Sequence, residues 1–165
     1  MVFWFPILMW LAAIVAAGSA VWRMGRPIRT GFAIEQLLRY ILLLPVGIMG
    51  LWGFVGHVFF AEQSAAAIGW AASPFQFEVG MANLGIGLGG MIGAFLRSRG
   101  FRLAIGVVAL GFLGGAGLGH LIQIAGTGNM AAGNAGPILY TDFLTPLSIF
   151  ALLLMQRFTR EGTVP

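Results

Sequence analysis

The chain has no cysteine and no lysine, and only 8% of its 165 residues are charged. The first absence excludes disulfides, thiolate metal sites, iron–sulfur clusters and cysteine nucleophiles. The scarcity of charge excludes more, because soluble domains carry about a quarter charged residues. With 59% hydrophobic residues and a mean hydropathy of +0.93, a water-soluble fold of this size could not cover its surface with polar groups. A conventional hydrolase is also disfavoured. There is no GxSxG elbow and no HExxH, and Ser64, Ser73 and Ser148 have no base at motif spacing. Glycine runs such as Gly114-Gly115-Ala116-Gly117 lack the lysine and strand–loop–helix setting of a phosphate loop.

What remains is a series of long apolar runs, which indicates an all-α integral membrane bundle of about five transmembrane helices in one domain. The predicted spans are about 2–22, 37–60, 74–96, 103–125 and 137–156: a four-helix core preceded by one N-terminal helix. Ala16-Ala17-Gly18-Ser19-Ala20 resembles a signal-peptide cleavage site, but the arginines follow the first run instead of preceding it, which favours a retained helix. Pro45 predicts a kink in span two. Residues 61–72 are amphiphilic and are expected to lie at the outer interface. Ser73, Pro74 and Gln76 read as a capping box opening span three.

The net charge of +4 and pI near 11.2 could suggest nucleic acid. All nine basic residues are arginines in short clusters between apolar runs, which argues for a membrane instead. With the N-terminus outside, Arg23, Arg26, Arg29, Arg39, Arg97, Arg99, Arg102, Arg157 and Arg160 all fall on the cytoplasmic side, as the positive-inside rule requires.

Glycine is abundant, at 26 residues. Gly85, Gly89 and Gly93 in span three and Gly111, Gly115 and Gly119 in span four recur every four residues. Small residues let membrane helices approach closely, so these glycine-zipper stripes are expected in tight contacts with each other or with a second copy.

Ionisable groups inside a bilayer are costly and tend to face the bundle interior. Counting from the arginines puts His57, Glu78, His120 and Asp142 on four helices at ~22–29 Å above the cytoplasmic boundary. Asn83, Gln123 and Glu62 lie nearby and could support them. The pattern looks duplicated: Gly56-His57, Pro74 and Glu78 are echoed by Gly119-His120, Pro137 and Asp142.

Several readings follow. The four polar groups could hold the outer helix ends together by hydrogen bonds. They could instead form an N2O2 site for a divalent metal, or carry protons. His57 and His120 could be axial haem ligands, or nearby aromatics such as Trp70 and Phe75 could line a quinone pocket. From a different class, the chain could be an accessory or scaffold subunit that packs against other membrane subunits. Metal or proton binding is the reading placed first; an enzyme is not favoured.

The stretch Ile68-Gly69-Trp70, Ser73-Pro74-Phe75-Gln76, Glu78, Gly80, Ala82-Asn83, Gly85 resembles a family of small uncharacterised bacterial multi-spanning inner-membrane proteins. The resemblance covers roughly residues 45–155. It implies a bacterial cytoplasmic-membrane location and a four-helix core, and it transfers no activity. Size and span number are also similar to redox-associated membrane proteins of the DoxX type, whose diagnostic residues are not evident here.

Overall fold

The computed structural model describes the backbone of residues 2–161 and the side chains of residues 3–159. Arg160 therefore lies outside the described side chains. The described chain is all helical. Five helices are long and apolar enough to cross a membrane: Phe5–Met24, Thr30–Phe59, Phe75–Phe95, Arg99–Thr127 and Ala132–Thr159. Their outward faces carry exposed Leu8, Ile14, Val15, Leu88, Val107, Ile122, Leu147 and Leu154, an apolar girdle that water would wet poorly.

Helix α1 spans Phe5–Met24 and opens on Pro6, where a missing N–H costs nothing; Gly25, at φ +79°, ends it. The second long helix runs as α2 (Thr30–Ile41), a π-helical stretch Leu42–Ile48, and α3 (Met49–Phe59). Pro45 sits in the π stretch and is absorbed by wider winding. A short α4 (Ala61–Ile68) ends at Gly69, whose φ of +82° suits glycine. Helix α5 (Phe75–Phe95) returns to the arginine end. The fourth long helix comprises α6 (Arg99–Ala109), a second π stretch Leu110–Gly114, and α7 (Gly115–Thr127). Ser98 caps α6 by accepting a hydrogen bond from the Phe101 N–H at 3.3 Å. Finally come α8 (Ala132–Ala135) and α9 (Pro137–Glu161). The order of a long helix with a π stretch, a short helix and a second long helix thus occurs twice, over 30–95 and 99–161.

Three sequence expectations are corrected. The second helix begins seven residues before Leu37, because Glu35 and Gln36 are turned inward and not left in a loop. The capping box does not close: Ser73 Oγ accepts from the Phe75 N–H at 3.1 Å, while the Gln76 side chain is engaged with His57. The glycine stripes of spans three and four do not meet. A Cβ added at Gly85, Gly111, Gly115 or Gly119 would touch nothing within 4 Å. Gly89 and Gly93 face the side chains of Ile105 and Phe101 on α6.

The closest backbone approach is instead between α5 and the second long helix. A Cβ on Gly50 would lie 2.6 Å from the Gly87 Cα, and one on Gly90 would lie 2.7 Å from the Leu42 carbonyl oxygen. Beside this seam Ile34, Leu38, Ile41, Leu42, Val46, Ile86, Ile149 and Leu153 form the apolar core.

Candidate functional site

Away from the arginine end, the five long helices splay around a cavity of about 410 Å³. That falls within the ordinary size range of small-molecule sites. Its wall is mostly apolar, with Trp10 from α1, Met49 and Trp52 from α3, Ile86 from α5, and Ile138 from α9. Both π stretches contribute, through Pro45 and Val46 and through Phe112 and Leu113. Such stretches recur at functional sites because the wider turn opens a helix locally. Helices α4 and α8 add Ser64, Ala67, Ile68 and Gly133. They pack tightly, since a Cβ on Gly133 would come 2.7 Å from the Ala67 carbonyl oxygen.

Three ionisable side chains line this cavity: His57, His120 and Asp142. His120 and Asp142 are 5% and 3% exposed. The His120 Nδ1 lies 2.7 Å from Asn134 Oδ1. Asn134 is fully buried, and its amide nitrogen donates to the Asn129 and His120 carbonyls at 2.8 and 3.4 Å. Reversing that amide would set its oxygen against two carbonyls, so Oδ1 must be the atom facing His120. The imidazole therefore carries hydrogen on Nδ1 and offers its Nε2 to the cavity side. There it faces Asp142 Oδ2 at 3.7 Å. That separation is too long for a direct hydrogen bond. Among the described residues, Asp142 has no donor closer.

His57 is half-buried and hydrogen-bonds through Nδ1 to Gln76 Oε1. Each histidine thus uses Nδ1 on a side-chain amide from a later segment. The remaining expected residues divide. Asn83 lines the cavity and donates to the Val79 carbonyl at 2.9 Å. Gln123 accepts from Trp70 Nε1 at 2.7 Å and from Asn129 Nδ2 at 2.8 Å, tying the α3–α5 connection to that between α7 and α9. Glu78 and Glu62 are exposed and away from the cavity wall. Glu78 lies on the opposite side of α5 from Gly80 and Gln76, both of which are buried. The four-residue N2O2 set is therefore not brought together. Among the described residues, no group of three or more His, Asp or Glu side chains could hold a metal ion. As a haem pair, His120 would present an Nε2 already turned to Asp142.

A second polar cluster, which no sequence motif marks, lies at the arginine end. Glu35 receives two hydrogen bonds from Arg102, at 2.7 and 2.9 Å, and a third from Gln156 Nε2 at 2.7 Å. The Arg102 Nε donates to the Gly93 carbonyl at 2.8 Å. The guanidinium is 3% exposed. Arg97 approaches Glu35 at 3.8 Å but is largely in solvent. This clamp joins α2, α5, α6 and α9, and it uses a bidentate geometry that only arginine supplies.

The model of a family of unknown function (DUF6790) matches residues 3–162, and the chain belongs to that family. No curated protein and no solved structure matches the chain.

Proposed function

We propose that this member of a family without an assigned activity is a multi-pass protein of the bacterial cytoplasmic membrane, with its N-terminus outside. In this reading it binds protons and a small lipophilic guest in a pocket near the periplasmic face. The observation that carries the reading is the His120–Asp142 pair: two buried proton-accepting atoms face one another across 3.7 Å on a mostly apolar cavity wall. A proton held between them would satisfy both. His57 is the other ionisable group on that wall, and none of the described arginines lines it.

Infrared difference spectroscopy on the purified protein tests the proton site. We expect a carboxylic-acid carbonyl band that changes with pH, disappears in Asp142→Asn and shifts its midpoint in His120→Gln. A spectrum with no titrating carboxyl band sensitive to either change would refute the reading.

Topology has its own test, made easy by the absence of cysteine. Met130 and Met24, 70% and 37% exposed, lie at opposite ends of the bundle. In intact cells a membrane-impermeant thiol reagent should label Met130→Cys and spare Met24→Cys until the membrane is permeabilised. The reverse pattern would invert the proposed orientation.

A scaffold role is the second reading, favoured by the exposed stripe of Gly111 and Gly115, whose small surface no described element fills. Site-directed cross-linking from that stripe to a second subunit would support it.

A further inference from the structure

We infer that the guest of this pocket is a lipophilic amine whose ammonium carries at least two N–H bonds, bound between Asp142 and His120. The inference rests on the proposed proton-binding pocket and adds the chemical class of its ligand.

The argument starts from what the polar wall offers. The Asn134 amide fixes hydrogen on His120 Nδ1, so a neutral His120 presents a lone pair on Nε2. Asp142, 4% exposed at its side chain, presents carboxylate oxygens and has no described donor within hydrogen-bond range. Thr141 turns its hydroxyl proton to the backbone carbonyls of Pro137 and Ile138, at 3.3 and 3.1 Å. One N–H of the Asn83 amide is used on the Val79 carbonyl at 2.9 Å. The two atoms that face each other across the gap, His120 Nε2 and Asp142 Oδ2, are therefore both acceptors, and a gap between two acceptors selects a donor.

Geometry narrows the donor. A nitrogen placed at the usual 2.8 Å from both His120 Nε2 and Asp142 Oδ2, which are 3.7 Å apart, subtends an angle of about 83°. Two N–H bonds of one tetrahedral ammonium reach both acceptors with modest bending. A hydroxyl has a single hydrogen and satisfies only one of them, and a quaternary ammonium has none. The rest of the guest meets Trp10, Trp70 and Met49, an apolar and aromatic wall suited to an aryl or alkyl body. The Trp70 ring centroid lies 6.3 Å from that of His120, which puts an aromatic surface beside the polar end of the cavity. The gap holds one proton or one ammonium, but not both, so the amine enters at the expense of the resident proton.

The test uses the full chain in lipid nanodiscs with 1-naphthylmethylamine, its alcohol analogue and its trimethylammonium analogue, followed by calorimetry and by a pH-indicator dye in weak buffer. We expect saturable binding of one amine per chain, with proton release, and at least tenfold weaker binding of the other two compounds. Asp142→Asn should lose at least tenfold in affinity for the amine. Equal affinity for amine and alcohol, or no binding of the amine, overturns the assignment. The wild-type probe series decides this even if Asp142→Asn fails to fold. If the Asp142 infrared band still titrates, the proton-binding pocket survives and only the ligand class falls; if the band is absent, both fall.

Discussion

Replacing Glu35 with alanine is expected to destabilise the bundle by about 3–5 kcal/mol, the cost of stranding one partner of a buried ion pair. The stranded group is Arg102, whose side chain is 3% exposed and would retain only the Gly93 carbonyl as a described acceptor. Gln156 would lose its acceptor as well. Arg102→Ala should cost a similar amount, because the described partners left to Glu35 would be Gln156 and the distant, solvent-exposed Arg97. The informative variant is the double one. Glu35→Leu with Arg102→Met removes both charges and should cost far less than the two single changes added together. Arg97→Ala, at the exposed rim, should stay within about 1 kcal/mol of wild type. Thermal unfolding in one detergent, read by circular dichroism, checks the set. Additive losses in the double variant would mean that the clamp is not an energetic unit.

The second large effect separates two kinds of glycine. Gly50→Ala places a methyl group 2.6 Å from the Gly87 Cα and 2.8 Å from the Asn83 carbonyl oxygen. Both obstacles are backbone, so neither can rotate aside, and the helices must part. We expect a loss of about 1–3 kcal/mol or more, as for overpacked cores. Gly115→Ala meets nothing within 4 Å. Alanine is also the better helix former, by about 1 kcal/mol. That variant should be as stable as wild type or slightly more so. The same unfolding assay reports both, and cross-linking beside it would reveal whether Gly115→Ala weakens a contact with a second subunit. Equal losses at the two positions would contradict the packing described.

The contrast explains how far the sequence could be read. Hydropathy located all five long helices to within a few residues at most ends, because apolar length is a property of each segment alone. The start of the second helix was missed because Glu35 and Gln36 look like loop residues until Arg102 and Gln156, 67 and 121 positions away, are brought beside them. Glycine spacing was legible as a pattern but not as a direction. Every-four spacing marks a face, and only the assembled bundle shows that Gly50, Gly87 and Gly90 use theirs while Gly111 and Gly115 do not.

The candidate site was legible in the same partial way. Depth counting picked out His57, His120 and Asp142, which do line one cavity. It also picked out Glu78, which shares their height but not their facing. The amides that orient the histidines carry no such mark in the sequence: Gln76 fits a capping motif and Asn134 sits in an uncharged loop. A usable signal existed. A buried histidine needs a partner for each ring nitrogen, and few uncommitted amides lie near either one in the sequence.

The two π stretches have a further consequence for the histidines beyond them. Each wide turn accommodates a residue that ordinary winding would not, and one residue corresponds to about 100° of rotation around the axis. His57 lies nine residues past the first stretch, and His120 six past the second. Without the surplus residue, each imidazole would swing by roughly a quarter-turn, away from Gln76 or Asn134 and toward lipid or a neighbouring helix. The heading of the pocket's chemistry is thus set a full turn or more below it, by a local miscount in winding that leaves apolar length and composition untouched.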